Sequence, residues 1–433
     1  MFTLPKTIER LLYLFIFLIP LQTRWIWHRG VINGGVWEYG TFSIYATEIL
    51  LWLIFILYFA QQIKTYKLKP ISYKLNGKSV IILSLLGLIS ISALSILWAP
   101  SKSIAFYSTF LLIQAMAFFM CVVDFPFNLN KIAWAFSMSG FVQSVFAFTQ
   151  FATQKVYASK WLGMATQDPS MQLGESVVET GLRRYLRAYG TFSHPNILGG
   201  FFVVAILFSI FLFFHSKKRW HEIVALIFAI CNIVGLTLTF SRSAYLAFAV
   251  SGVLYLVFIF LKSKTRISRK IFFTVMLLAG TLLIGIIFQS AVSPRIEVRE
   301  RLEKKSLADR AIYMKESFFI MQKHFFVGVG MGNFTESVRR EMNDQKKPWE
   351  YQPVHTAYLL SMSELGVLGL FFYCLFIFSS FVRTLKTKNY LGVAFIIALS
   401  IIGVFDHYVW SFYSGIIIFW LIFGISQKPL TDA

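Results

Sequence analysis

Uninterrupted apolar runs of roughly twenty residues recur along most of this chain, each long enough to cross a bilayer as a helix. Residues 190–214, for example, contain no Asp, Glu, Lys or Arg. Such runs cannot be hidden in a water-facing globule. Of the 433 residues, 57% are hydrophobic and 14% charged, against about 45–50% and about 25% in soluble domains. Lipid must cover the surplus, and the 47 phenylalanines suit faces that meet acyl chains. Inside a bilayer only helices or a closed barrel satisfy the backbone. The runs lack the dyad alternation of barrel strands, so the expected fold class is all-α integral membrane.

Spans are expected near 8–23, 42–60, 79–98, 103–123, 131–151, 190–214, 222–240, 244–261, 271–291, 356–382, 390–405 and 410–426, about 12 transmembrane helices in all. The chain then divides into helices over 1–151, an outer loop over 152–189, helices over 190–291, a large extracytoplasmic loop with short helices over 292–355, and helices with a tail over 356–433. Lysines and arginines fall in alternate loops: Lys64, Lys67, Lys69, Lys74 and Lys78; Lys217, Lys218 and Arg219; Lys262, Lys264, Arg266, Arg269 and Lys270; Arg383, Lys386 and Lys388. Cytoplasmic loops carry such an excess. With Lys6 and Arg10 they put both termini in the cytoplasm of a multi-pass inner-membrane protein. The first apolar run has no small-residue cleavage site after it and is expected to be a retained span. The net charge of +21 is explained by these loops, and nucleic acid is not an expected partner. Cys121, Cys231 and Cys374 lie in apolar stretches without metal-ligand spacing or a disulfide framework.

Cations on the outer side are the departure that points to chemistry. Arg242 stands in Thr239-Phe240-Ser241-Arg242-Ser243, between two spans joined by almost nothing. It either snorkels at the boundary or binds an anion, and a tight hairpin that keeps it from wandering favours the anion. Arg187 precedes Gly190-Thr191-Phe192-Ser193-His194-Pro195-Asn196, a stretch with Ser193 as an expected helix cap and Pro195 in the first turn. Arg183 and Arg184 are expected to be surface charges. Arg310 lies in Asp309-Arg310-Ala311-Ile312-Tyr313, on an expected amphipathic helix between Glu297 and Lys323. His355 sits at the outer mouth of the tenth span. Glu364 lies nine residues further on and does not closely share its face; a carboxylate inside the membrane is paired or functional. Asp406 and His407 lie between the last two spans beside Tyr408 and Trp410, either interface anchors or supporting groups.

Arginines gathered at one membrane face can bind phosphate bidentately at any physiological pH. A histidine can take a proton from a hydroxyl. Together they suit transfer of a sugar from a lipid-linked phosphate donor. Without a DxD-like pair or ligand-spaced cluster in the outer segments, no metal and no cofactor are expected.

Four places in order resemble the O-antigen ligase and polymerase superfamily: Arg187 with Gly190-Thr191-Phe192 and Pro195-Asn196; Ser241-Arg242-Ser243; Arg310 followed by Gly328-Val329-Gly330; and His355 with Glu364-Leu365-Gly366. The resemblance implies a GT-C-like membrane glycosyltransferase that moves a glycan from undecaprenyl diphosphate to an acceptor at the outer leaflet, with inversion. It implies that Arg187, Arg242 and Arg310 hold the diphosphate and that His355 activates the acceptor hydroxyl; Glu364, Asp406 and His407 are expected from their positions to support them. The family often has Asn after this histidine; here Thr356 stands there. The partners implied are the bilayer, the lipid-linked glycan and an acceptor glycolipid such as lipid A–core, or another glycan. A repeat-unit polymerase of the same superfamily is the first alternative. A lipid-linked oligosaccharide transporter is the second, disfavoured because charges gather at one face and no inverted repeat is found. A structural scaffold would leave Arg242 and Glu364 unexplained.

Overall fold

The computed structural model describes residues 4–65, 79–171, 174–180, 183–263, 265–289, 301–342 and 346–429. Lys67, Lys69, Lys74, Lys78, Lys264 and Arg295 lie outside the described residues. Helices α1 (Leu4–Leu18), α2 (Ala46–Thr65), α3 (Ser79–Ser95), α4 (Lys102–Asp124), α5 (Leu129–Thr153), α6 (Pro195–His215), α7 (Arg219–Leu238), α8 (Arg242–Lys262) and α9 (Ile267–Ile287) precede the large loop. Within that loop lie α10 (Arg301–Lys323) and α11 (Phe334–Met342), and after it α12 (Ala357–Lys386), α13 (Tyr390–Phe405), α14 (Tyr408–Ser411) and α15 (Tyr413–Ser426). Among the described residues eight helices, α2, α4 to α9 and α12, are long and apolar enough to cross a membrane. Helices α1, α3, α13 and α15 stand at the other expected positions but have 15, 17, 16 and 14 residues, short of the roughly twenty that a full perpendicular span needs.

Helix α6 is the axis of the bundle. It is buried from Pro195 to Phe214, as befits a helix that is apolar on every side, and it packs against α5, α7, α8 and α13. Helix α3 packs on α12, α13 on α8, and α15 on α4.

Among the described residues, the short strands all lie at one end of the bundle. Strands β1 (Arg24–His28) and β4 (Phe42–Tyr45) pair antiparallel around the small hairpin of β2 (Val31–Ile32) and β3 (Gly35–Val36), and β5 (Val177–Thr180) pairs with β6 (Arg183–Leu186). The sequence reading gave this region no strands. Loops distant in sequence interlock here. Asn33 Nδ2 donates to Lys346 O at 2.8 Å, Tyr39 Oη to Gln352 Oε1 at 2.8 Å, Ser101 N to Asn333 Oδ1 at 2.8 Å, and Arg301 pairs with Glu179 at 3.0 Å. The segments after α1, α3, α5 and α9 therefore meet on one side of the bundle.

Helix α12 is broken at Gly366, whose φ of 68° and ψ of −171° lie outside the helical region. The break frees carbonyls that must find donors. Val329 N donates to Ser363 O at 3.0 Å, Gly330 N to Glu364 O at 2.8 Å, and Val367 N to Phe325 O at 2.8 Å. The glycine-rich turn of the large loop is thereby bonded to the broken helix, which is how irregular backbone survives at membrane depth. The contact leaves no room for side chains. A Cβ on Gly366 would stand 2.2 Å from Phe326 O, and one on Gly328 2.3 Å from the Glu364 carbonyl.

Candidate active site

The site forms where the N-termini of α6, α8 and α12 meet the C-terminus of α13, with α10 above them. Arg187 follows β6. Its Nε donates to Thr239 O at 2.8 Å and its Nη2 to Asn196 Oδ1 at 2.6 Å, and the residue is only 5% exposed. Asn196 Nδ2 in turn donates to Asp406 Oδ2 at 2.7 Å. A polar chain therefore runs from Arg187 through Asn196 to Asp406. The expected cap of α6 shifts by one residue. His194 rather than Ser193 occupies it, with Nδ1 accepting from Asn196 N at 3.1 Å. A short polar acceptor at this position satisfies one of the unpaired amides of the first turn.

Asp406 ends α13 and accepts the His407 amide at 2.8 Å. The rings of His355 and His407 lie 5.3 Å apart, and His407 Nδ1 is 2.6 Å from Ser411 Oγ. Nδ1 of His355 is buried and has no hydrogen-bond partner among the described residues. Tyr313 of α10 lies 5.8 Å from the His355 ring and Tyr39 6.2 Å from that of His407. Thr356, after the histidine, starts α12, and its Oγ1 donates to Gly403 O at 3.3 Å.

Arg242 is the first residue of α8, and the turn before it is tight. Phe240 takes a left-handed φ of 49° and is fully buried, a conformation a bulky residue adopts only when its surroundings enforce it. Arg187 secures that turn through Thr239. The Arg242 guanidinium faces the buried Glu303 of α10 at 3.4 Å. On α10, Glu303, Arg310, Tyr313, Ser317 and Ile320 fall at helical spacing on one stripe. That stripe faces the bundle: Tyr313 meets His355, Ser317 Oγ lies 2.9 Å from Ser363 Oγ, and Ile320 is buried. Arg310, half-buried, rises about 10 Å along the helix from Glu303, and its charge acts on both His355 and His407.

Electrostatics keep the histidines neutral. Burial pushes His407 and His194 down to about 3, against the pull of Asp406. Burial likewise lowers His355; Asp406 opposes the shift and Arg310 adds to it. Burial alone would raise the Asp406 carboxyl, but the three imidazoles and the Asn196 amide outweigh it and hold it below the ordinary range. A carboxylate beside neutral imidazoles is the state of a proton acceptor, with a negative charge ready to stabilise the imidazolium.

Glu364 is not part of this cluster. Its Oε2 accepts from Trp410 Nε1 at 2.8 Å, and backbone groups of Gly332 and Phe334 also bond it. It joins the break in α12, the glycine turn and α14. Arg184 donates to Pro169 O at 2.7 Å and lies 3.8 Å from Glu179. His194, Asn196, Tyr39 and Tyr313 were not assigned to the site from the sequence. His194 stood only in a helix-start motif, and Asn196 in that motif and in the resemblance beside Arg187, without a role of its own.

The fold also creates a donor set that sequence spacing did not show. One ligand atom each from His355, Asp406 and His407 lie within 4.8 Å of one another, which could hold a metal ion. Two imidazoles and a carboxylate suit zinc or a similar transition ion.

Fold and site together define a polytopic membrane protein whose bundle presents a buried histidine–carboxylate cluster beside arginines at one end. Residues 227–374 match the family model described as O-Antigen ligase, and this segment is what the chain shares with that family. The match covers Arg242, Arg310, His355 and Glu364; Arg187, Asp406 and His407 lie outside it. No curated protein matches the chain.

Proposed function

We propose that this protein transfers a glycan from undecaprenyl diphosphate to a hydroxyl of an acceptor glycolipid or glycan, at the outer leaflet of the inner membrane, with both termini and twelve spans arranged as the loop charges imply. The observation that carries the reading is the cluster of His355 and His407 around Asp406, with the charge of Arg310 acting on it. The acceptor hydroxyl gives its proton to His355 at Nδ1, which has no partner among the described residues. The acceptor oxygen attacks the anomeric carbon, and the bond from that carbon to the diphosphate breaks with inversion. The electron pair leaves on the lipid diphosphate. Arg242 and Arg310 stabilise the growing charge, as fixed cations do in a dry site. The imidazolium that forms on His355 is stabilised by Asp406.

Arg187 was expected among the diphosphate ligands. Its bonds to Thr239 and Asn196 instead support a positioning role: it fixes the turn that presents Arg242 and the amide that holds Asp406.

Ligation to an acceptor lipid is favoured over polymerisation by the family description alone. Purified protein with donor alone separates them: inert donor means ligase, chain growth means polymerase. In the same assay Arg310→Ala should weaken donor binding, and unchanged binding in both Arg310→Ala and Arg242→Ala would remove the proposed diphosphate site.

A metal-assisted transfer is the second reading, favoured by the donor set. It is weighed against the engagement of both Asp406 oxygens by Asn196 and the His407 amide. Transfer that survives exhaustive chelation supports the metal-independent route; loss restored by zinc supports the other.

A further inference from the structure

The bundle has a second site, far from the histidines. A cavity of about 870 Å³ lies between α2, α3 and α4, near the upper end of the 300–1,000 Å³ common for ligand sites. Its walls are apolar over most of their length, with Trp52, Phe110 and Met120 among them, all part-exposed to the bilayer. Its far end is polar, formed by Tyr58, Gln62, Asp124 and Arg383.

That end lies opposite the histidine cluster. Helix α4 begins beside the large loop, where Ser101 bonds Asn333, and ends at Asp124. Helix α12 begins beside His355, and Arg383 stands near its last turn. From Trp52 to Gln62 the wall rises about 15 Å, and from Phe110 to Asp124 about 21 Å. One leaflet of hydrocarbon is about 15 Å deep. The groove therefore has the depth of a single leaflet, apolar towards the midplane and polar at the surface.

Charge identifies the occupant. Asp124 accepts from Tyr58 Oη at 2.5 Å and Gln62 Nε2 at 2.8 Å, and Lys428 bears on it electrostatically. Arg383, half-buried, has no carboxylate or carbonyl partner among the described residues. The polar end of this acyl-sized groove thus carries Arg383 without an anionic partner among the described residues, while Asp124 is held by Tyr58 and Gln62 with Lys428 nearby. A single phosphodiester supplies that partner, and a guanidinium binds it bidentately.

We propose that this groove binds an anionic phospholipid of the leaflet opposite the histidine cluster, its phosphate on Arg383 and an acyl chain along α2 and α4. The site is independent of the transfer reaction.

The test is retention of phosphatidylglycerol and of phosphatidylcholine by the purified protein, read by native mass spectrometry from detergent. The wild type should retain phosphatidylglycerol preferentially. Arg383→Gln should cut that retention about fivefold, in keeping with one arginine at an anionic surface, and leave phosphatidylcholine unchanged. Ala117→Trp, which projects into the groove from an exposed position of α4, should reduce both. Equal retention of the two lipids by the wild type, or retention indifferent to both substitutions, would overturn the proposal.

Discussion

Asn196 connects a buried cation to a buried anion, and its removal gives a sharp forecast. Asn196→Ala deletes the bond from Arg187 at 2.6 Å and the bond to Asp406 at 2.7 Å. Each joins a neutral amide to a charged group, and such bonds contribute about 1.5–3 kcal/mol. Both charged partners are nearly inaccessible, at 5% and 4% exposure, so water replaces the lost contacts poorly. The expected cost is about 3–6 kcal/mol, well above the ~1 kcal/mol of an average substitution. Asn196→Asp should separate the two halves of the effect. It keeps an acceptor for Arg187 but turns a carboxylate towards Asp406, so it should raise the His355 pKa while restoring part of the stability. The assay is equilibrium unfolding in mixed SDS micelles, read by tryptophan fluorescence, with glycan transfer measured on the same preparations. Wild-type stability and wild-type transfer in Asn196→Ala would show that the polar chain carries no weight.

Further outcomes follow from the same geometry. Gly366→Ala forces a Cβ to 2.2 Å from Phe326 O at a φ of 68°. It should cost at least the ~1–3 kcal/mol of a strained backbone residue, and release the glycine turn to limited proteolysis near residue 328. His407 has a folded pKa of about 3 against about 6.5 unfolded. A depressed imidazole leaves stability full above about pH 6.5 and erodes it as pH falls, by about 2 kcal/mol at pH 5. His407→Gln should make that slope shallower by this share between pH 7 and pH 5 in unfolding experiments, leaving the share of the similarly depressed His194. The Asp406 carboxylate raises the pKa of His355 against the effect of burial. Asp406→Asn should therefore lower the maximal transfer rate and move the acid limb of the pH profile further down; a limb displaced upward would contradict the role given to Asp406.

The bundle was legible because apolar runs leave few alternatives in a bilayer, and helix α6 shows this most plainly. The strands between Arg24 and Tyr45 were not. They are too short to give a periodic signal, and they are held by contacts such as Asn33 to Lys346 and Tyr39 to Gln352 that bridge more than three hundred residues. His355, Arg242 and Arg310 stood out as polar residues where the surrounding sequence did not need them. His194 and Asn196 did not, because their local role as a helix start explains them. Asp406, which gives Asn196 its meaning, lies 210 residues away. Helical spacing could not relate Glu364 to His355, which precedes the helix, and the partners of Glu364, Trp410, Gly332 and Phe334, emerge only once the glycine turn docks on the break at Gly366.

The central claim is that His355 takes the acceptor proton. Its most direct test is the single-turnover rate of glycan transfer by His355→Ala at saturating donor and acceptor, with donor affinity measured in parallel. A loss of about 10²–10⁴-fold in rate, typical of a missing general base, with donor affinity retained, is the expected result. A rate within a few-fold of wild type in a folded His355→Ala protein would contradict the account.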